Sequence, residues 1–140
     1  MYPGISELLA TLATEFKLGV IANQSKGTET RLKQWGVRKH FSLVLASAEF
    51  GLCKPSPEIF AKALSQAQCQ PGDTLMAGDR LDNDIGPAKS LGWSTARVLQ
   101  GFSRYQKARN SVEEPDFTFS KIGQLAANKA LLINKVNHTY

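Results

Sequence analysis

The sequence predicts an α/β fold: a three-layer, Rossmann-like arrangement of a mainly parallel sheet with helices on both faces. Three observations predict it. Stretches of helical periodicity alternate strictly with short apolar runs, and strict alternation implies crossover connections between parallel strands. One apolar run, Thr74-Leu75-Met76-Ala77, ends in Gly78-Asp79 and is followed at once by Asp82 and Asp84. That is the pattern of a strand delivering acidic side chains to the C-terminal edge of a sheet, where ligands bind in open α/β folds. Finally, 140 residues suit one domain with a single sizeable core.

Each element has its own warrant. Ile5, Leu8, Leu9, Leu12, Ala13 and Phe16 recur at helical spacing and predict an amphipathic helix over 5–16. Lys17 to Asn23 read as a short buried strand. Residues 28–35 form a second helix, with Leu32 and Trp35 inward and Gly36 at the stop position. Ser42 to Ala46 is the second strand. Ser56 supplies a cap and Pro57 the first helical residue of the next helix, which continues through Ile59, Phe60, Ala63, Leu64 and Ala67 on one face.

Residues 73–77 are the strand leading to the acidic cluster. Asn83 to Leu91 read as a helix, with Asn83 as its cap, Pro87 in or just past its first turn and Gly92 at its end. Residues 94–99 make a further strand, Asp116 to Phe119 another, and Ile122 to Ala130 a helix. Residues 100–115 are the one long irregular connection, and 131–140 read as a tail with little to anchor it. The expected organisation is a core domain over 1–125 and a C-terminal tail over 126–140.

Composition narrows the function classes. A hydrophobic content of 42% and a charged content of 21% are ordinary for a globular protein. The net charge of +5 comes from scattered bases, with a looser group at Arg97, Arg104, Lys107 and Arg109. No arginine-rich run with interleaved aromatics marks a nucleic-acid groove. A modest positive balance suits anionic, phosphorylated ligands. Cys53 and Cys69 lie far apart, outside any metal-binding pattern, and read as reduced, buried residues of a cytoplasmic protein. No apolar run reaches membrane-spanning length, and no secretory segment is visible. His40 and His138 have no partner in sequence and read as structural.

The acidic cluster carries the chemistry. Clustered aspartate oxygens suit a hard cation such as Mg²⁺. Asp79 and Asp84 are the candidate ligands. Asp82 is either a third ligand or a helix-terminus acid favoured by the dipole, and Arg80 is expected to face solvent or pair with its acidic neighbours.

Taken together, Leu18-Gly19-Val20-Ile21-Ala22-Asn23, Lys54-Pro55-x-Pro57-Glu58-Ile59-Phe60 and the Gly78-Asp79 to Asp84 segment resemble the second, third and fourth motifs of haloacid-dehalogenase-superfamily hydrolases. The likeness is greatest to the phosphoglycolate-phosphatase type and runs from about residue 2 to about residue 125. The opening Tyr2-Pro3-Gly4-Ile5-x-Glu7-Leu8-Leu9 resembles the segment by which such chains return from a cap to the core.

The resemblance implies a Mg²⁺-dependent phosphatase acting on a small phosphorylated metabolite through an aspartyl-phosphate. Within it, Lys54 matches the lysine that neutralises the phosphoryl oxygens and the nucleophile. Asp79 matches the acid that holds Mg²⁺, and Asp84 the acid that supports that ligand or the metal's waters. Asn23 and Gln24 match positions whose backbone N–H groups face a phosphate, and Ser25 is a further candidate there.

Two departures qualify the implied activity. Ala22 stands where the family usually has a Thr or Ser hydroxyl. The family's first motif, an apolar strand ending DxDx(T/V), has no match: only Asp82-Asn83-Asp84 has the spacing, and it follows no apolar strand. Nucleophile and general acid are therefore unassigned, and turnover by this chain alone is expected to be absent. The alternative is a non-catalytic module that binds phosphate and metal or a protein partner.

In the family's sheet the first-motif strand lies centrally, so the expected fold lacks its central nucleophile strand and its cap. Three outcomes are expected for the exposed edges. The flanking strands pair directly, a second copy of the chain covers the gap as a homodimer, or an N-terminal segment of a longer polypeptide fills it.

Overall fold

The computed structural model describes residues 3–137; Tyr2 and His138, named above, lie outside the described residues. The chain divides into two compact units, one ending at Gln68 and one starting at Cys69.

The first unit opens with α1 (Ile5–Ala13), which buries Leu8 and Leu12. It is shorter than its apolar spacing suggests. The Thr14 hydroxyl donates to the Thr11 carbonyl at 2.7 Å, a local bond that competes with continuing the helix. Then come β1 (Leu18–Ala22), α2 (Thr28–Gln34) and β2 (Phe41–Ala46), the last entered through a 3₁₀ turn at Arg38–His40. β1 and β2 pair in parallel from Leu18↔Phe41 to Ala22↔Ala46, with a bulge after Leu18. Ser42 is the extra residue, and its hydroxyl donates to the Leu18 carbonyl at 3.0 Å. Helix α3 (Ser47–Phe50) follows, an element the sequence did not announce, and then α4 (Pro57–Ala67). α4 begins as expected, with the Glu58 N–H donating to Ser56 Oγ at 3.4 Å and Pro57 at its start. It packs Ile59, Phe60 and Ala63 inward against β1 and β2.

Trp35 is not inward; it is 47% exposed. α2 stops at Gln34, and Gly36 turns left-handed at φ 72°. The Gly36 N–H donates to Lys33 and the Val37 N–H to Leu32, the paired bonds of a Schellman cap. Val37, just past that turn, is 2% exposed and joins the buried residues in place of Trp35.

In the second unit β3 (Leu75–Gly78), β4 (Ser94–Val98) and β5 (Phe117–Phe119) form a sheet in the order β3-β4-β5, parallel throughout. Helices and parallel strands make the class α/β, as the alternation predicts. β5 is short but fastened: Asp116 Oδ2 accepts the Thr95 N–H at 2.8 Å, and the Asp116 N–H donates to Thr95 Oγ1 at 3.1 Å. After β3, Leu81–Ile85 form one turn of π-helix that runs into α5 (Gly86–Ser90). The helical segment thus begins two residues before Asn83, and Arg80, not Asn83, occupies the flanking position. The wide turn buries Leu81, Asp84 and Ile85 together.

Beyond β5 lie α6 (Gln124–Ala127) and α7 (Lys129–Asn137). α7 corrects the expectation of an unanchored tail: Leu132 and Val136 are buried, and Lys135 Nζ lies 3.6 Å from Asp116. The expected burial of the cysteines is corrected too. Cys53 is exposed in the loop before α4 and Cys69 half-buried at the start of the second unit; neither is in a disulfide among the described residues.

Among the described residues β1 has β2 as its only strand partner, and β3 has β4.

Candidate active site

In the first unit, β1 ends at Ala22 and the chain enters a pinned loop. Asn23 Nδ2 donates to the Lys54 carbonyl at 2.9 Å, and the Lys54 N–H donates to Asn23 Oδ1 at 2.8 Å. The pair is reciprocal, so the amide orientation is fixed by it: the flipped amide would set donor against donor and acceptor against acceptor. Asn23 therefore uses its side chain to fix the backbone that carries Lys54, 31 residues away.

The carbonyl of Gln24 accepts from Ser47 Oγ at 3.2 Å and from the Ala48 N–H at 3.4 Å. The carbonyl of Ser25 accepts from Thr28 Oγ1 and from Arg31, both at 3.2 Å. Carbonyls turned back onto α2 and α3 hold this loop in one path. The structure thus brings Asn23 and Lys54 together, with Gln24 and Ser25 on the same loop as Asn23.

In the second unit the three aspartates have three different surroundings. Asp84 is only 3% exposed. Its Oδ2 accepts the Arg80 N–H at 3.1 Å, and the side chain folds back over Gly78. A Cβ at Gly78 would lie 2.5 Å from Asp84 Oδ2, so glycine is required for this packing.

Asp79, the next residue, lines a cleft of about 210 Å³ with Ala77, Gly78, Val98, Gln100 and Ile122. Its Oδ2 lies 2.8 Å from Ser103 Oγ. Asp82 is held by Arg80 in a two-point fork, Nε to Oδ1 at 3.0 Å and a terminal nitrogen to Oδ2 at 2.7 Å. Gln106 Nε2 adds a third bond to Oδ1 at 3.0 Å. The Arg80 guanidinium, hydrogen-bonded to it, holds the Asp82 carboxyl far below the usual carboxylate range.

The donor set fits part of a metal site. Among the described residues no three His, Cys, Asp or Glu side chains are grouped so as to hold an ion alone. Mg²⁺ does not need such a cage: it is typically bound by one or two carboxylates plus waters and substrate phosphates. Asp79 presents its carboxylate to a cleft, and Asp84 sits directly behind the same strand end. Asp82 has both oxygens engaged by Arg80 and Gln106, a structural pairing that competes with ligation.

Sequence reasoning did not find Ser103, Gln106 or Arg97. Besides binding Asp82, Gln106 accepts the Leu81 N–H through its Oε1 at 2.9 Å. Arg97, on β4, donates to the carbonyls of Ser103 and Gln106 at 2.8 and 3.0 Å. These residues follow the acidic cluster across a segment with no motif, so no spacing signal pointed to them.

Known proteins resemble this chain along most of its length. The profile of the family described as haloacid dehalogenase-like hydrolase matches residues 1–98. A glyceraldehyde 3-phosphate phosphatase of Methanocaldococcus jannaschii is 35% identical over 127 residues, covering 86% of this chain and 52% of that protein. A phosphoglycolate phosphatase of Vibrio vulnificus is 32% identical, covering 89% of this chain and 54% of that protein. Among solved structures, a phosphatase from Thermococcus onnurineus superposes with a TM-score of 0.79 at 26% identity, over 94% of this chain and 58% of that one. The chain spans about half the length of the curated relatives it matches.

Proposed function

The chain belongs to the haloacid dehalogenase-like hydrolases, and from that premise we propose that it is the core of a Mg²⁺-dependent phosphatase for a small phosphorylated metabolite. The observation that carries the reading is the strand end at Gly78-Asp79. There Asp84 occupies the space a side chain at residue 78 would fill, while Asp79 faces a cleft. A buried acid behind an accessible one is a donor pair of the kind a hard cation uses.

Each residue then has a role. Asp79 ligates the metal, and Asp84 supports that ligand or a metal-bound water. Lys54 offsets the charge of the phosphoryl oxygens, and Asn23 holds the Lys54 backbone in place. Gln24 and Ser25 belong to the phosphate-facing loop. Mg²⁺, when bound, supplies charge neutralisation for the transferring group. Phosphoryl transfer of this kind depends mostly on positioning and electrostatics.

The covalent step, attack of an aspartate on phosphorus, needs a nucleophile. None of the aspartates, Asp73, Asp79, Asp82, Asp84 or Asp116, stands in a DxDx(T/V) segment. The 140-residue chain on its own therefore binds without turnover. Names of the relatives suggest the substrate class: small phosphorylated carbon compounds such as glyceraldehyde 3-phosphate and phosphoglycolate. Cys53 and Cys69 are not joined in a disulfide, which suits a reducing, cytoplasmic setting. Among the described residues no helix is long and apolar enough to cross a membrane.

The test is phosphate release from phosphoglycolate, glyceraldehyde 3-phosphate and p-nitrophenyl phosphate with and without Mg²⁺, beside direct titrations of Mg²⁺ and orthophosphate. Binding without release is expected, with Mg²⁺ binding lost in Asp79→Ala and phosphate binding weakened in Lys54→Ala. Mg²⁺-dependent release that vanishes in Asp79→Ala would overturn the inactivity. Absence of any Mg²⁺ binding would overturn the site.

A further inference from the structure

We propose that Ser103 is a positioning residue for the metal-ligating carboxylate of Asp79, and that loop 100–106, which carries it, orders with the metal. The inference rests on the reading of Asp79 as a Mg²⁺ ligand and extends it to residues outside the family motifs.

The geometry is a clamp. Loop 100–106 is fastened to the acidic segment at two points. Ser103 Oγ lies 2.8 Å from Asp79 Oδ2. Gln106 donates to Asp82 Oδ1 at 3.0 Å and accepts the Leu81 N–H at 2.9 Å. Arg97 donates to the carbonyls of Ser103 and Gln106 and so braces the loop from the sheet. On β4 it stands in register with Gly78, the residue before Asp79. One strand thus supports both the acid and the loop that grips it.

The Ser103 hydroxyl also lies 2.8 Å from the Gln100 carbonyl. A hydroxyl has one proton, so the two acceptors share it, and Asp79 gains the bond only while the loop keeps this fold. A carboxylate that accepts one bond from Ser103 keeps lone pairs for a cation, and its rotamer is fixed while it does so. Partners that orient ligating carboxylates in this way are typically worth about 10- to 100-fold in metal affinity.

The loop exposes what it holds. Phe102 is 93% exposed and Tyr105 68% exposed, so apolar packing contributes little to its order. Its fold depends on the polar bonds just named. If loop order raises affinity at Asp79, bound metal must raise loop order by the same factor, because coupling between binding equilibria is reciprocal.

The experiment is a Mg²⁺ titration of the 140-residue chain followed by backbone amide NMR. The proteins are wild type, Ser103→Ala, Ser103→Thr and Asp79→Asn, each checked for native fold by circular dichroism. Amide exchange at residues 101–106 is measured in wild type with and without Mg²⁺. The expected result is a loss of about 10- to 100-fold in Mg²⁺ affinity in Ser103→Ala, near-normal affinity in Ser103→Thr, and slower loop exchange when Mg²⁺ is bound.

Affinity unchanged in Ser103→Ala, or wild-type loop exchange indifferent to Mg²⁺, overturns the inference and leaves the metal reading standing. Amides at 78–84 that ignore Mg²⁺ in wild type, or an Asp79→Asn protein that titrates like wild type, overturn the metal reading and the inference with it. If Ser103→Ala fails to fold, the Ser103→Thr titration and the wild-type exchange still decide.

Discussion

At Gly78 a hydrogen atom stands where any side chain would collide with Asp84. Gly78→Ala should therefore push the Asp84 carboxylate off its place on the Arg80 N–H. Such overpacking costs about 1–3 kcal/mol, to be read as a lower urea midpoint, and Mg²⁺ binding should weaken in the same protein. An alanine variant as stable as wild type would show that the carboxylate has room to move. Asn23 makes a second residue-scale case. Asn23→Ala removes both bonds to the Lys54 backbone. A loss of about 1–3 kcal/mol is expected, with faster exchange of the Lys54 amide. Unchanged exchange there would mean that the loop holds Lys54 without Asn23. Lys54, Asp79 and Asp84 are marked as candidates in the sequence by motif spacing. The side-chain work of Asn23 is not, because its partner lies across a 31-residue gap and spacing does not report which way an amide points.

Among elements, the strands were the most legible, because each of the first three is an apolar run with a turn-forming residue at or near its end. The helix after β3 was less so: Pro87 and Asn83 suggested a start at 83, whereas the π-turn begins at Leu81 and its bonds to the Arg80 carbonyl come from both Asp84 and Ile85. The long connection after β4 read as irregular, yet a 3₁₀ turn at Ser111–Glu113 is locked within it. Glu113 is 4% exposed and accepts from Arg109 through both its backbone N–H and its guanidinium. It also packs against α5, where a Cβ at Gly86 would lie 3.2 Å from Glu113 Cγ. The hydrogen bonds from the Arg109 side chain, and next those from its backbone, hold the Glu113 carboxyl below its ordinary value of 4.5. A depressed folded-state value means that the unfolded chain takes up the proton first. This group's stabilisation is thus complete above the ordinary glutamate range and is lost as pH falls through the folded value. Urea unfolding at a series of pH values should show that decline in wild type, and a flatter profile below about pH 4 in Glu113→Gln. Parallel profiles for the two proteins would remove Glu113 as a source of acid sensitivity.

For the whole molecule the open question is what meets the strand edges. β1 is a parallel strand with one strand partner among the described residues, and no residue of it is fully buried. β3 likewise pairs only with β4, and its Ala77 is exposed. Parallel strands are ordinarily covered on both faces, and an unpaired edge presents a row of donors and acceptors that recruits another chain. A two-stranded sheet is also marginal without further support, which here comes from α4 on β1 and β2. Of the expected outcomes, a strand from another copy of the chain is the one the purified 140-residue chain can test by its mass. Light scattering coupled to size exclusion should therefore give a mass above the 15.3 kDa of one chain, rising with protein concentration. Adding a charge at the centre of β1, as in Val20→Lys, should shift the particle toward one chain if the association runs through that strand. A particle of 15.3 kDa at every concentration, with both units folded by amide NMR, would show that these edges are stable in water and that the strand-filling argument fails.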